Sequence, residues 1–197
     1  MNAIKRKTKG LEITATLIVI NVLVFLFSAW LSKSTSINYI VLIVLGGNFK
    51  PLVLEGEYYR FFTAMFLHGN LQHLAFNMYS LYALGSNLER MMSKWKYISL
   101  YLVAGLGGSY LSHLMMGDIV SVGASGAIFG LLGALIGYVM RYREMFRSGA
   151  LMNLVIIAGI NLAWGFQPGS NIDNFGHLGG LISGFLLSFV IKLGRRK

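Results

Sequence analysis

The sequence predicts an all-α, polytopic membrane protein: a bundle of six transmembrane helices with one long outer loop between the first and the second. Three observations predict it. The 197 residues are 55% hydrophobic and 12% charged, against about 25% charged in an average soluble domain, and the mean hydropathy is +0.63. Six apolar stretches come near the ~20 residues that a spanning helix needs; they run 11–31, 71–92, 97–116, 123–140, 150–166 and 174–193. The basic residues gather on alternate connections between these stretches, as the positive-inside rule requires. Both prolines, Pro51 and Pro168, fall between apolar stretches, and the length fits one membrane-embedded domain over residues 1–197.

Span 1 follows Lys5, Arg6, Lys7 and Lys9, a charge pattern shared with signal peptides. Its apolar run is too long for a signal core and has no clean small-residue cleavage site, so it reads as an uncleaved span. Residues 32–70 form the long loop. Within it, 37–45 is apolar but too short to cross, which suits an interfacial or re-entrant piece, and Tyr58, Tyr59, Phe61 and Phe62 suit an aromatic belt. Span 2 opens with His73 and Asn77 and closes with Glu89 and Arg90, expected to tie down the next loop. Span 4 carries Gly126, Gly130, Gly133 and Gly137, and span 6 carries Gly176, Gly180 and Gly184. Such small-residue stripes let helix backbones approach closely in lipid.

Charge sets the orientation. Fourteen of the 17 basic residues precede span 1, separate spans 2 from 3 and 4 from 5, or follow span 6; the other side holds Lys33, Lys50 and Arg60. Both termini are therefore expected in the cytoplasm. The net charge of +10 reports this topology and contact with anionic lipid rather than nucleic-acid binding. The absence of cysteine excludes disulfides and thiolate metal sites.

With that topology, spans 2, 4 and 6 all start at the outer face. His73 and Asn77 lie in the first two turns of span 2, Ser125 in the first turn of span 4 and His177 in the first turn of span 6. At about 1.5 Å rise per residue, all four fall in the outer leaflet, where a polar group needs a partner or a function. Pairing the glycine stripes brings Ser125 towards His177, and a hydroxyl within about 3 Å of an imidazole is an activated nucleophile. A serine on a small-residue face can equally serve packing alone. His73 and Asn77, four apart, share a helix face; they fit either interhelical hydrogen bonds or, with the Ser125 amide, donors to an oxyanion. His68 and His113 lie near the outer boundary and read as structural, and Arg60 as an anchor of the outer loop.

Rival chemistries lack their residues. No His-Glu-x-x-His string is present for zinc, Asp118 and Asp173 both fall in outer loops rather than as a buried pair, and no lysine shares the depth of Ser125. A transporter would bury ionic relays near the midplane, and the span centres have none. The sequence Gly-Ala-Ser-Gly is not the hydrolase elbow, which needs Gly-x-Ser-x-Gly. A Ser–His dyad remains as the hydrolytic option, with no metal and no cofactor; no acid stands obviously behind His177, so no third member is predicted.

The motifs His73-Leu-Ala-Phe-Asn77, Gly123-Ala-Ser-Gly126 and Gly176-His-Leu-Gly-Gly180 with Gly184, supported by Tyr59-Arg60 and Glu89-Arg90, resemble those of the rhomboid intramembrane serine proteases over nearly the whole chain. The resemblance implies a six-span rhomboid-like bundle of bacterial type in a plasma membrane, its site opening outwards. It implies Ser125 as nucleophile and His177 as general base, with His73, Asn77 and the Ser125 backbone amide as oxyanion hole. Gly123, Gly126, Gly180 and Gly184 support the site. Phe129 stands where many relatives have a tyrosine packed on the histidine, and Tyr59 where a tryptophan is usual. Single-span membrane proteins are the implied substrates, entering from the bilayer between spans 2 and 5 past a gate at Trp164 and Phe166, under a cap formed by 167–173. The alternative is a non-catalytic relative that binds membrane clients; such proteins typically lose the serine or the histidine, and both are present here.

Overall fold

The computed structural model describes residues 11–167, 170 and 172–194. The basic residues Lys5, Arg6, Lys7, Lys9, Arg195, Arg196 and Lys197, and Pro168, Gly169 and Asn171 of the predicted cap, lie outside the described residues. Long helices occupy all six apolar stretches: α1 (Glu12–Ser32), α5 (Leu71–Met91), α6 (Lys94–Met115), α7 (Ser125–Arg141), α8 (Ala150–Gly165) and α9 (Asn174–Val190). The segment before α5 is built from short pieces, α2 (Tyr39–Val44), α3 (Lys50–Leu54), α4 (Arg60–Thr63) and a 3-10 turn over Ala64–Phe66. Boundaries shift by up to three residues from the sequence expectation, the last helix ending at Val190 rather than 193, and two of the shifts have clear reasons. The third long helix starts at Lys94, because Ser93 in extended conformation leads into it. The fourth starts at Ser125 and not at 123, because Gly123 has φ +132°, outside any right-handed helix.

By length and composition α1 and α6 are apolar enough to cross a membrane, whereas α7, α8 and α9 are apolar but of 17, 16 and 17 residues. Outward faces are apolar: α1 exposes Val19, Leu23, Leu26 and Phe27, and α8 exposes Met152, Ile156 and Ile160. An aqueous surface would carry polar side chains there; this one suits lipid. Helix α8 buries only Ala158 and Gly165, so it is held at the edge of the bundle.

The centre of the bundle is α7, whose neighbours α9 and α6 approach it through glycines. A methyl group at position 180 would lie 2.7 Å from the carbonyl carbon of Gly126, and one at 184 would lie 2.7 Å from Cα of Gly130. On α6, a methyl group at Gly108 would lie 2.6 Å from the carbonyl oxygen of Gly176. Both stripes predicted from sequence therefore face each other, backbone against backbone. Around this seam pack Leu81, Leu88, Tyr97, Leu100, Tyr101, Leu131 and Tyr138, all fully buried.

Glu89 acts differently from expectation. Its carboxylate, 2% exposed, accepts the amides of Ile13 at 2.8 Å and Thr14 at 2.9 Å. It ties the start of α1 rather than the following loop, because the first turn of a helix has free N–H groups that need acceptors.

Arg60, 4% exposed, organises the outer segment. Its guanidinium donates to the carbonyls of Ile43 at 2.7 Å and Gly47 at 3.0 Å, and its Nε to Glu57 at 2.6 Å. Hydrogen bonds from Tyr59 and Arg60 hold the Glu57 carboxyl below its ordinary range. Arg60→Ala is expected to destabilise by about 3 kcal/mol, because it leaves buried carbonyls unpaired. Arg60→Lys should recover little, since one ammonium cannot reproduce the planar fork. Thermal unfolding and faster limited proteolysis within 37–58 measure both effects.

Candidate active site

Ser125 opens α7, and the chain before it dictates its setting. The Gly123 amide donates to the carbonyl of Ala64 at 2.9 Å, and its positive φ turns the chain so that Ala124 becomes the helix N-cap. Alanine has no acceptor to offer, and among the described residues no side chain receives the amides of Ser125, Gly126 or Ala127. A helix start with free, converging N–H groups is an anion-binding arrangement.

His177 sits in the first turn of α9. Its amide donates to the Asp173 carbonyl at 3.1 Å, while Asp173 caps the helix by accepting the Gly176 amide at 2.8 Å. The imidazole stacks on Phe129, with ring centroids 4.1 Å apart and planes 11° from parallel. Phe129 lies one turn after Ser125 on α7, so a single helix carries both the hydroxyl and the surface on which the imidazole rests. Among the described residues no hydrogen bond joins Ser125 to His177. Hydrogen bonds of this kind are commonly long in unliganded sites and tighten when substrate binds.

His73 approaches from α5, whose start is capped by Asn70 accepting the His73 amide at 2.8 Å. A methyl group at position 123 would lie 2.8 Å from Nε2 of His73 and 3.6 Å from Oγ of Ser125. Imidazole and hydroxyl thus flank Gly123, and only glycine leaves room between them. Asn77 is buried, and its Nδ2 donates one hydrogen to the His73 carbonyl at 2.9 Å; the second N–H of that amide stays available. His68, expected to be structural, is fully buried with its ring edge-on to His73 at a centroid distance of 5.0 Å. Burial pushes it down to about 3, so it packs against His73 as a neutral ring. His113 lies apart from this group, edge-on to Phe61.

The remaining predicted residues stand at the margin. Trp164 and Phe166 are 64% and 59% exposed at the end of α8. Phe166 meets Phe175 edge-on at 6.2 Å, and the Asn174 side chain donates to the Leu162 carbonyl at 2.8 Å. That contact places the end of α8 against the start of α9, beside His177. One feature was not foreseen: the Ser121 hydroxyl donates to the Asp173 carboxylate. Both residues line a cavity of about 20 Å³ together with Gly123, Ser125, Gly126 and Gly176, enough for one water molecule.

The chain matches the Rhomboid domain family over residues 55–193. It is 38% identical to Rhomboid protease GluP of Bacillus subtilis (strain 168) over 180 residues, which is 91% of this chain and 35% of GluP. It is 42% identical to RHOMBOID-like protein 5 of Arabidopsis thaliana over 76% of this chain and 49% of the plant protein. With Rhomboid protease AarA of Providencia stuartii it shares 29% identity over 93% of this chain and 74% of AarA. The chain thus spans a third to a half of the length of GluP and of the plant relative.

Proposed function

Because the chain belongs to the rhomboid family, we propose that it is an intramembrane serine endopeptidase, cutting membrane proteins in or next to their transmembrane helices. The observation that carries this reading is the arrangement of Ser125 and His177. They occupy the first turns of two helices in backbone contact, with the imidazole stacked on Phe129 one turn beyond the serine.

In this reading the Ser125 hydroxyl attacks the scissile carbonyl carbon and passes its proton to His177. The resulting oxyanion receives hydrogen bonds from the Ser125 amide, the His73 ring and the free N–H of Asn77. His177 then gives its proton to the leaving amine as the C–N bond breaks, forming an acyl-enzyme. Water, deprotonated by His177, cleaves the ester and restores the serine. The Phe129 ring fixes the imidazole plane, so a dyad suffices to orient the base.

The six long helices cross the bilayer with both termini cytoplasmic and the site opening outwards, in keeping with the distribution of basic residues. In a bacterial cell this places the chain in the plasma membrane. A site at that depth meets single-span helices, and a helix shields its carbonyls by hydrogen bonding, so cleavage falls where the substrate unwinds. Helix α8, which buries only two residues, is the element that yields to admit substrate between α5 and α8, past Trp164 and Phe166.

Fluorophosphonate labelling tests the reading. Wild-type protein in detergent should be labelled on Ser125, and His177→Ala protein should not. Equal labelling of Ser125→Ala protein removes the assignment. Phe129→Leu should lower kcat about tenfold with KM unchanged, because the imidazole loses its stacking plane. Phe129→Tyr, which keeps the ring, should retain activity; initial rates over a range of substrate concentrations separate these cases.

A further inference from the structure

We propose that the hydrogen bond between Ser121 and Asp173 sets the approach of Ser125 and His177, making Ser121 and Asp173 positioning residues; this rests on the dyad reading above. Ser121 lies four residues before Ser125, and Asp173 four residues before His177. The bond therefore joins, at matching height, the two segments that deliver nucleophile and base, although its partners are 52 residues apart in sequence.

Both ends are held. The Ser121 backbone exchanges two hydrogen bonds with Asn48, at 3.0 and 2.9 Å, and Asn48 Nδ2 donates to the Ser109 carbonyl on α6 at 2.9 Å. On the other side, Asp173 Oδ1 accepts the Gly176 amide at 2.8 Å while Oδ2 takes Ser121. The two carboxylate oxygens thus divide their work: one caps α9, the other reaches across to the segment leading into α7. A carboxylate suits this post because it accepts two donors in a fixed plane and places negative charge at a helix start.

The tie has a task that the glycine seam leaves undone. Contact of Gly180 with Gly126, and of Gly184 with Gly130, fixes how far apart α7 and α9 lie. It reaches Gly126 and Gly176, next to Ser125 and His177, but by van der Waals contact alone, with no directional bond at an end where α7 has no side-chain cap. The Ser121–Asp173 bond restrains that end at the cavity that Ser125 also lines.

The test is steady-state cleavage of a single-span substrate by purified full-length protein in liposomes, with folding followed by thermal unfolding. Ser121→Ala keeps the α9 cap, and Asp173→Ser keeps a capping oxygen but loses the one that reaches Ser121. Each should lower kcat about tenfold with KM unchanged. The double variant should be no slower than the slower single one, since both remove the same bond, and Ser121→Thr should restore the rate. Wild-type kcat in Ser121→Ala, effects that multiply in the double variant, or a folded state lost in Ser121→Ala would each overturn the proposal, the last by assigning the bond to stability. Wild-type protein that fails to cleave, or Ser125→Ala protein that cleaves equally, overturns the dyad reading itself and is distinguishable from these results.

Discussion

Ser125→Ala protein is expected to cleave a single-span substrate at least about 10³-fold more slowly than wild type, the scale on which serine hydrolases respond to loss of the nucleophile. The reason is chemical and local. Ser121 lines the same cavity, but its hydroxyl is engaged by the Asp173 carboxylate, which withdraws it as a substitute nucleophile. The same substitution should leave the fold intact, because among the described residues the Ser125 hydroxyl makes no hydrogen bond whose loss would strand a buried partner. Thermal unfolding should therefore shift by no more than about 0.5 kcal/mol. A protein that is fully stable and inactive separates catalysis from folding in one measurement. His177→Ala should match it, and the double variant should be no worse than either single one, since nucleophile and base act as a unit. Product bands on a gel at matched protein concentration decide the matter: residual cleavage above a tenth of wild type would sink the assignment of Ser125.

What could be read from the sequence was what depends on composition and local spacing. Apolar length located the six long helices, and the spacing of Gly126, Gly130 and Gly133 against Gly176, Gly180 and Gly184 identified the two faces that meet. The proposal that Ser125, His73 and His177 share one depth rests on the proposed topology and on helix rise. What escaped depends on contacts between distant segments. Glu89 binds amides 75 and 76 positions away, and nothing in its neighbourhood marks it as a cap for α1. Asp173 read as a loop residue because its partner Ser121 belongs to another connection. The short helices α2, α3 and α4 are shorter than any periodic pattern can report, and the contact that ties α4 to α2, from Arg60 to the carbonyls of Ile43 and of Gly47 just beyond α2, spans 13 to 17 residues. The start of α7 was misplaced by two residues because a glycine with positive φ cannot be distinguished, in sequence, from a glycine on a packing stripe. Asp173 preceding Gly176 by three residues was the one available signal, an N-cap spacing that pointed to a helix start but not to its second hydrogen bond.

The seam between α7 and α9 carries the second large expectation. Gly184→Ala should destabilise the protein by about 3 kcal/mol or more, at the upper end of overpacking effects, and Gly184→Val should prevent folding. The added carbon would meet the backbone of Gly130, 2.7 Å from its Cα, where carbon atoms prefer about 3.5–4.0 Å. No flexible side chain is present to move aside; two helix backbones must separate by roughly an ångström. In lipid that separation is costly for a specific reason. Apolar side chains gain little by leaving hydrocarbon for a helix interface, so close dispersion contact is what holds the pair. A gap forfeits it along several turns, since Gly133 and Gly137 lie on the same face against α9. Any Gly184→Ala protein that still folds should also be slow, because splaying α7 from α9 draws Ser125 away from His177. Gly159 provides the control: it is helical, on α8, and a methyl group there meets nothing within 4 Å. Gly159→Ala should stabilise by about 0.5–1 kcal/mol through helix propensity alone. Chemical or thermal unfolding of the two alanine variants side by side makes the contrast, and equal stabilities would mean that α7 and α9 are not joined backbone to backbone.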